Sequence, residues 1–379
     1  MEILSHLYFY KYQINLKPKE LIHLPQYKGS ALRGVFGHAL KRVVCVMRGQ
    51  SCESCILRFK CVYSAIMETP IPEDHPDYRK YRNAPRPYII IPPLTKRQYF
   101  ELDGLVSFNI VLIGRANEYL PYFVFTFTEM GRIGIGREKG RFDISSVEVV
   151  NLDGIRSEIF SGIDKTLKPF ENRIDFSLFL NSPLPQPSPI KGDRRDDEIT
   201  LSFETPVRIK EQDKLSSDIP FNLLIRRLSE RAFLLAHLHC GAEMGDFEGF
   251  AEGSEDVKTI KNRLRWVDWE RYSSRQQTRM KFGGWVGEIT YRGDFQKYLP
   301  LLMLGEHIHV GKAVTFGLGK YSIGEAEKRR SGEAEKRGRE KERRGDRKRW
   351  KGKFIKRYAE LKISSQHGQR LKKRGQQVA

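Results

Sequence analysis

The sequence lacks an apolar run long enough to cross a bilayer, and its first residues do not have the layout of a secretory signal peptide. Acidic residues are fewer than basic ones: the chain has 47 Asp and Glu and 67 Lys and Arg, which gives a formal net charge of +20. These absences predict a cytoplasmic protein with no membrane partner. The excess of positive charge favours nucleic acid or another acidic partner.

Cysteine is also scarce, and four of the five cysteines fall within 17 residues. Cys45, Cys52, Cys55 and Cys61 form the pattern C-x6-C-x2-C-x5-C, and their thiolates suit a tetrahedral Zn²⁺ site. No His or carboxylate takes the role of an open catalytic position, so the predicted zinc is structural. An iron–sulfur cluster and four reduced cysteines without metal are the alternatives, since a disulfide is disfavoured in a reducing cytoplasm.

The positive charge is concentrated towards the C-terminal end. Residues 323–379 hold 21 Lys and Arg against 8 Asp and Glu, so this segment carries +13 of the total of +20. The hexapeptide GEAEKR occurs there twice and apolar residues are few. The composition predicts a basic low-complexity tail at 324–379 that is disordered or forms a lone solvated helix. Such a tail is either a solubilising extension or a non-specific RNA-binding arm.

The rest of the chain shows one pattern of elements twice. Strand-like and helix-like periodicities follow the order β-α-β-β-α-β within 1–151 and again within 198–323. A Pro-rich, charged stretch at 152–197 is predicted to be a linker between them. This order is that of the ferredoxin-like split βαβ unit. The predicted fold class is therefore α+β, with tandem ferredoxin-like domains and a small cysteine-rich metal knuckle at 45–61.

Two glycine-rich loops occupy matching places in the two predicted units. GEHIHVGKAVTFGLGKY at 305–321 and GRIGIGREKGRF at 131–142 each lie between the second helix and the last strand. Glycine allows close backbone approach, and successive N–H groups can cradle phosphate oxygens. His307 and His309 would face the same side of an extended loop, although one of them could instead support the loop through a backbone hydrogen bond. The candidate polyanion contacts in the loop itself are Gly311, Lys312, Gly317, Gly319 and Lys320. For the three glycines and Lys312, the alternative is a largely structural role at the interface between the domains.

One histidine occupies the polar side of the first predicted helix, GSALRGVFGHALKRVV. At about 100° per residue, Leu32 and Phe36 fall on the core face, whereas His38 falls opposite them together with Lys41 and Arg42. This placement favours a phosphate-binding or catalytic role for His38, and a plain surface histidine is the alternative. Gly34 and Gly37 further predict that either the second domain or a ligand approaches this helix closely.

Cations and aromatic residues interleave in RLRWVDWERYSSRQQTRMKF at 263–282. Cations bind phosphates and aromatic faces stack on bases, so this composition favours single-stranded RNA. Arg271 and Arg275 are the candidate RNA contacts. The alternative is a solvated hairpin with a few buried aromatic residues.

Together, several of these motifs resemble one protein family. The helix GSALRGVFGHALKR with its cysteine cluster, the MGRIGIGREKGRF loop, RYSSRQ with GGWVG, and HVGKAVTFGLGKY are similar to CRISPR-associated endoribonucleases that process precursor CRISPR RNA. These form part of the RAMP (repeat-associated mysterious protein) superfamily, and the cysteine cluster marks a subgroup. The resemblance runs to about residue 322 and does not include the tail.

The resemblance implies two RRM-like domains side by side, with CRISPR repeat RNA held against their shared face. It also implies metal-independent cleavage, in which the ribose 2′-OH attacks the adjacent phosphate and leaves a 2′,3′-cyclic phosphate and a 5′-OH. His38 would be the acid–base group, and Lys41 and Arg42 would stabilise the phosphate. Two other functions stay open: a non-catalytic RAMP subunit that binds guide RNA among other CRISPR effector subunits, and a zinc-stabilised RNA-binding module with no CRISPR role.

Overall fold

The computed structural model describes residues 2–71, 84–180, 198–212, 214–273 and 278–324. The strands are β1 Tyr8–Pro18, β2 Ile22–His23, β3 Tyr88–Ile91, β4 Tyr99–Phe100, β5 Val106–Ile113, β6 Phe142–Val150, β7 Arg156–Ser161, β8 Ile174–Asp175, β9 Glu198–Val207, β10 Lys210–Glu211, β11 Lys214–Leu215, β12 Lys258–Asn262, β13 Arg265–Val267, β14 Glu270–Ser273, β15 Thr278–Lys281, β16 Gly284–Arg292 and β17 Tyr321–Ile323. The helices are α1 Glu2–Ser5, α2 Gly29–Val44, α3 Val62–Met67, α4 Leu120–Ile133, α5 Ser177–Leu180, α6 Phe221–Cys240, α7 Phe247–Ala251 and α8 Leu299–Ile308. None of these helices is long and apolar enough to cross a membrane. The predicted tail lies outside the described residues, apart from Gly324.

The first half folds as an antiparallel sheet with two helices on one face. The strand order is β3-β5-β1-β6-β7, and β8 adds a short pairing to β1. Because side chains alternate along a strand, Tyr12, Ile14 and Leu16 of β1 share one face, and they belong to the buried cluster that includes α2 and α4. That leaves the intervening β1 residues on the opposite face of the sheet.

Helix α2 forms because its apolar residues recur every three to four positions. Leu32, Phe36 and Ala39 are fully buried, and the Phe36 ring centroid lies 5.0 Å from that of Phe123 on α4. The core face predicted from the sequence is confirmed at these three positions. The helix ends at Cys45, whose extended backbone starts the cysteine loop. Packing this face on the sheet turns the polar face of α2 towards solvent.

The second half has the same topology as the first. Its sheet has the order β12-β16-β9-β17, with β13 also paired to β16. When the four main strands of each half are numbered along the chain, both sheets have the spatial order 2-3-1-4, and all neighbours are antiparallel. In each half, one helix follows the first strand and another precedes the last. The result is a mixed α/β fold built on two antiparallel sheets.

The stretch between the halves is more regular than its composition suggests. The sequence predicts an irregular linker from residue 152, but Arg156–Ser161 forms β7 and pairs with β6 as a fifth strand. Ile159 and Phe160 bury their side chains in the core of the first half, which explains why this strand forms. The linker prediction is therefore wrong for β7, and its Pro-rich part at 181–197 lies outside the described residues.

A shared core joins the two halves. Phe9, Val111 and Ile113 of the first sheet belong to the same buried cluster as Leu224 of α6 and Leu301 of α8. The first sheet is therefore covered on both faces, by α2 and α4 on one side and by the second half on the other. Burial of each large apolar side chain contributes roughly 1.5–3 kcal/mol, so this shared core holds the halves firmly together.

Candidate nucleic-acid interface

The exposed arc of α2 presents an imidazole and two cations to solvent. His38, Lys41 and Arg42 are all exposed. Gly34 lies one turn before His38, and a Cβ added there would meet no heavy atom within 4 Å, so the surface beside the imidazole is open. An exposed imidazole can exchange protons with a bound substrate, and adjacent cations can hold a phosphate. The predicted placement of His38 on the polar side of the helix is confirmed.

The two cations beside His38 have neighbours that orient them. The Lys41 ammonium lies 5.7 Å from the ring centroid of Tyr63. Arg42 donates its Nε to Oε1 of Glu129 on α4 at 3.0 Å, with an Arg42 side chain that is 63% exposed. Such an exposed ion pair is worth only about 0–1 kcal/mol. The pair therefore positions the guanidinium without preventing it from binding a phosphate.

The start of α2 touches the second glycine-rich loop. A Cβ at Gly29 would collide with the carbonyl oxygen of Phe316, and the Tyr27 hydroxyl donates to that oxygen at 2.7 Å. The Arg33 guanidinium lies 5.0 Å from the centroid of the Phe316 ring. The N-terminal end of α2 therefore meets the second half through its buried side, opposite the exposed arc that carries His38.

The predicted approach of the second half is absent at both glycines among the described residues. A Cβ at Gly37 would lie 2.6 Å from Cε of Met67 on α3, whereas Gly34 faces open space. The element that comes close to Gly37 is thus the short helix after the cysteine loop. It is neither a ligand nor the second half.

The glycine-rich loop at 305–321 does not form a phosphate cradle. Gly317 and Gly319 are buried, and their N–H groups donate to the carbonyls of Val314 at 2.7 Å and Pro206 at 3.0 Å. Both glycines have positive φ, and a Cβ at Gly319 would collide with the backbone of Val310. The prediction that these two glycines contact RNA is wrong, because their donors and their space are used by the protein itself.

The other predicted contacts in this loop differ in accessibility. Gly311 is partly exposed, but a Cβ there would lie 2.5 Å from the carbonyl oxygen of Arg208. Lys312 is exposed, and its backbone N–H donates to the same carbonyl at 2.8 Å. Lys320 is half-buried and pairs with Glu204 at 2.7 Å. Of the loop residues, Lys312 is therefore the one whose side chain best suits a contact with phosphate.

The histidine pair of this loop lies at the shared core. His307 is in the last turn of α8, with its ring 5.4 Å from Phe9 and 5.5 Å from Phe179. His309 is fully buried and hydrogen-bonds through Nδ1 to the Leu318 carbonyl at 3.1 Å. The predicted RNA contact is therefore wrong for His309, which supports the loop through the backbone as the alternative proposed. The two Phe rings lie 6.4 Å from each other, so both pack against the same side of the half-buried His307 imidazole. An RNA contact by His307 stays a prediction.

Burial keeps both of these histidines neutral at physiological pH. Loss of solvent, followed by the charges of Lys11 and Lys320, lowers the pKa of His307 to about 4. Burial lowers the pKa of His309 to about 3, against a hydrogen bond from its ring to Leu318 that acts in the opposite direction. Neither group is suited to exchange protons with a substrate near neutral pH.

The basic and aromatic stretch at 263–282 has one tryptophan that is exposed and another that is packed at the seam. Trp266 is 39% exposed and has one edge against Trp285, so part of its ring is available for stacking. Trp269 packs against Tyr27 at 4.9 Å and joins the small apolar cluster at the seam. Arg271 lies in β14, which forms a hairpin with β15, and Arg275 lies outside the described residues.

A polar row on the first sheet is absent from the sequence-based predictions. Asn15 is 5% exposed, accepts from the Ser107 hydroxyl at 2.7 Å and donates to Ser146 at 2.9 Å. Gln13 donates to Asn15 at 3.0 Å, and Lys11 continues the row. The signal is visible in YKYQINLKP, where every second residue is polar. This row lies on the sheet face away from α2, so the sheet separates it from His38.

The four clustered cysteines surround one small cavity. Cys45, Cys52, Cys55 and Cys61 all line a space of about 20 Å³, and each is a free, half-buried thiol. Burial raises the pKa of Cys52, and the nearby Cys45 and Cys61 raise it further, whereas Lys41 lowers it. In the described parts of the chain, no three His, Cys, Asp or Glu side chains are close enough together to hold a metal ion. The loop thus brings the four cysteines to one cavity, but not close enough together to form a coordination shell.

Two family models match separate parts of the chain. Residues 201–321 match that of the CRISPR-associated endoribonuclease Cas6, and residues 7–172 match one described as an N-terminal domain. An uncharacterized protein of Archaeoglobus fulgidus is 26% identical over 310 residues, which cover 79% of this chain and 93% of that protein. The second half therefore contains a region similar to the Cas6 endoribonuclease domain.

Two solved structures have a similar fold. A chain of a partial Cas6-RT-Cas1–Cas2 complex superposes with a TM-score of 0.53 at 16% identity, over 86% of this chain and 48% of that one. A chain of a Cas6-RT-Cas1–Cas2 complex gives the same TM-score, identity and coverage of this chain, over 30% of its own length. This chain thus spans half or less of the length of those two chains, and at this identity the likeness concerns the fold alone.

Proposed function

We propose that this protein is an endoribonuclease that cleaves precursor CRISPR RNA within its repeats. The observation that carries the proposal is the exposed arc of α2, where His38 lies with Lys41 and Arg42 beside open solvent. The match of residues 201–321 to the Cas6 endoribonuclease family supports the same substrate class. The two similar solved structures are named as complexes containing Cas1 and Cas2, so contact with other CRISPR proteins is part of this proposal.

The proposed reaction needs no metal ion. His38 takes the proton from the ribose 2′-OH, or gives a proton to the leaving 5′-oxygen, while the 2′-oxygen attacks the adjacent phosphorus in line. Lys41 and Arg42 stabilise the negative charge that develops on the phosphate oxygens. The P–O5′ bond breaks, and the products carry a 2′,3′-cyclic phosphate and a 5′-OH.

The proposed architecture is a pair of ferredoxin-like, RRM-like units. The shared 2-3-1-4 strand order and the two helices of each half support this assignment. In that arrangement, the seam between the units lies at the start of α2, where Gly29 meets Phe316. His38 lies two to three helical turns beyond that contact and on the opposite side of α2, so RNA held along the seam would have to pass around the helix to reach it.

A cleavage assay in EDTA tests the proposed function. Purified protein should cut RNA that contains one repeat at a single position and leave a scrambled RNA of the same length intact. The 5′ product should resist a phosphatase that removes terminal monophosphates until acid opens its cyclic phosphate. If EDTA stops cleavage, Zn²⁺ and Mg²⁺ are added back separately, and rescue by Mg²⁺ would contradict the proposed mechanism. Tight repeat binding without cleavage under any of these conditions would instead indicate a non-catalytic guide-RNA subunit.

We further propose that the four clustered cysteines bind one structural Zn²⁺. The four residues line a single cavity of about 20 Å³, and thiolates are the preferred ligands of zinc in closed sites. The ion would hold the loop between α2 and α3 and would take no part in the chemistry at His38.

Zinc content is expected to depend on these cysteines alone. Mass spectrometry of the native protein should find one zinc per chain, and Cys55→Ser should reduce the content to background. Cys240→Ser is the matched control, because Cys240 packs beside the shared core and should leave zinc content unchanged. A native mass equal to that of the polypeptide alone would contradict the zinc site.

A further inference from the structure

The cysteine loop, residues 45–61, exposes more apolar surface than a structural loop requires. Ile56 is 86% exposed, Val46 74%, Phe59 54% and Met47 39%. Burying such side chains elsewhere in the protein would be favourable, so their exposure carries a cost unless a ligand covers them. Exposed apolar surface that is concentrated in this way marks an interaction site more often than a chance feature.

Positive charge surrounds these apolar side chains. Arg48, Arg58 and Lys60 lie in the same loop, against Glu53 alone. The Arg58 guanidinium lies 5.4 Å from the centroid of the Phe59 ring, so the two side chains form a cation–π contact. Bases stack on aromatic rings and guanidinium planes, and phosphates bind the cations around them.

The loop continues directly from the exposed arc of α2. Cys45 follows His38 by seven residues, which corresponds to about 10 Å along a helix. Lys41 and Arg42 lie between them on the exposed side. A strand of RNA whose phosphate rests at His38 could therefore reach the loop within a few nucleotides.

We infer that the cysteine loop is a second RNA-binding element, which takes single-stranded bases next to the cleaved phosphate. Ile56 and Phe59 would contact the bases, and Arg48, Arg58 and Lys60 would contact the backbone. Arginine, methionine and aromatic residues are also common in protein interfaces, so a protein partner is the alternative. The excess of three cations over one acidic residue in the loop favours RNA. The position of this element beside the cleavage site rests on the proposed function, whereas its binding of RNA does not.

Binding measurements with matched variants test this inference. The double substitution Ile56→Ser with Phe59→Ser should weaken binding of a fluorescent repeat RNA by about 10-fold or more, the usual scale of losing base contacts. Ile163→Ser is the control, since Ile163 is 95% exposed and follows β7, outside the loop. All variants carry His38→Ala so that the RNA stays intact, and equal thermal unfolding midpoints show that the loop change does not disturb the fold.

Crosslinking distinguishes the possible outcomes. Repeat RNA containing 4-thiouridine should crosslink to a peptide from 45–61, and mass spectrometry would identify it. Equal affinities for the double variant and the control, with no crosslink in the loop, would overturn the inference and leave the surface to a protein partner. If the wild-type protein cleaves repeat RNA, that outcome would leave the endoribonuclease proposal standing. Loss of affinity in a protein whose wild type never cleaves RNA would support the loop and contradict the endoribonuclease proposal.

Discussion

Replacement of His38 by alanine is expected to slow cleavage by at least ~100-fold and to leave the affinity for repeat RNA nearly unchanged, because loss of one acid–base group typically costs this much. His38 is exposed on α2 with open space one turn away at Gly34, so its removal should not disturb packing. The measurement is a single-turnover cleavage rate with protein in excess, paired with an anisotropy titration of the same RNA.

An exposed histidine elsewhere supplies the matched control. His6 is exposed at the turn between α1 and β1, and His6→Ala should cleave at the wild-type rate. If His38→Ala also cleaves at that rate, the acid–base role belongs to another exposed group. His307 and His309 would be poor replacements, because burial lowers the pKa of each well below neutral pH.

Mild acid is expected to destabilise the shared core strongly. Three histidines in or beside it have lowered pKa values, namely about 4 for His307, about 3 for His309 and about 4 for His239. Burial is the largest cause in each case, since an imidazolium loses its hydration there. The charged groups that act on them are all cations and oppose protonation: Lys11, Lys320, Arg115 and Arg231.

The direction of the effect follows from proton binding by the unfolded chain. An exposed histidine titrates near pH 6.5, so the unfolded state takes up protons below that pH while the folded state does not. The stability contributed by neutral burial is therefore complete above about pH 6.5 and is lost as the pH falls from there towards the folded-state pKa values. Each group would lose about 2 kcal/mol between about pH 7 and pH 5, roughly 6 kcal/mol for the three, which is comparable to the whole stability of many domains.

Urea unfolding at several pH values measures this loss. The free energy of unfolding should fall steeply between about pH 6.5 and pH 5. His307→Phe keeps an aromatic ring against Phe9 and Phe179 but cannot titrate. Its free energy of unfolding should therefore fall by about 2 kcal/mol less than that of the wild type over that range. Equal unfolding free energies at both ends of the range would show that these histidines are not enclosed in solution.

Much of the fold could be predicted because its elements carry strong local periodicity. The sequence predicts helices at 29–46 and 220–240 and a strand at 142–150. α2, α6 and β6 lie within a residue or two of these segments, since each presents a regular apolar face. β7 escaped prediction because only Ile159 and Phe160 of its six residues are buried, which is too short a pattern to detect. The strand forms because it pairs with the edge of β6 and buries Ile159 and Phe160 in the core of the first half.

The candidate site could be predicted only in part. His38, Lys41 and Arg42 are on the polar face that helical periodicity assigns to them, and the four cysteines are close in sequence and surround one cavity. The predicted phosphate cradle at 305–321 is not formed. Glycine is required both for a phosphate cradle and for tight backbone packing, so its presence alone does not distinguish the two. Only the structure shows that the N–H of Gly319 already donates to Pro206 and that the backbone of Val310 fills the space beside Gly319.

The amino-acid sequence by itself determined the positive charge, the order of helices and strands in each half, the polar arc of α2 and the clustering of four cysteines, because all of these depend on local spacing. The tertiary structure alone decided which surfaces stay exposed. In the folded protein His309 is fully enclosed, His307 packs against Phe9 and Phe179, and His38 stays in solvent. Local spacing cannot predict this outcome, because the free energy of burying an imidazole depends on which distant side chains meet it.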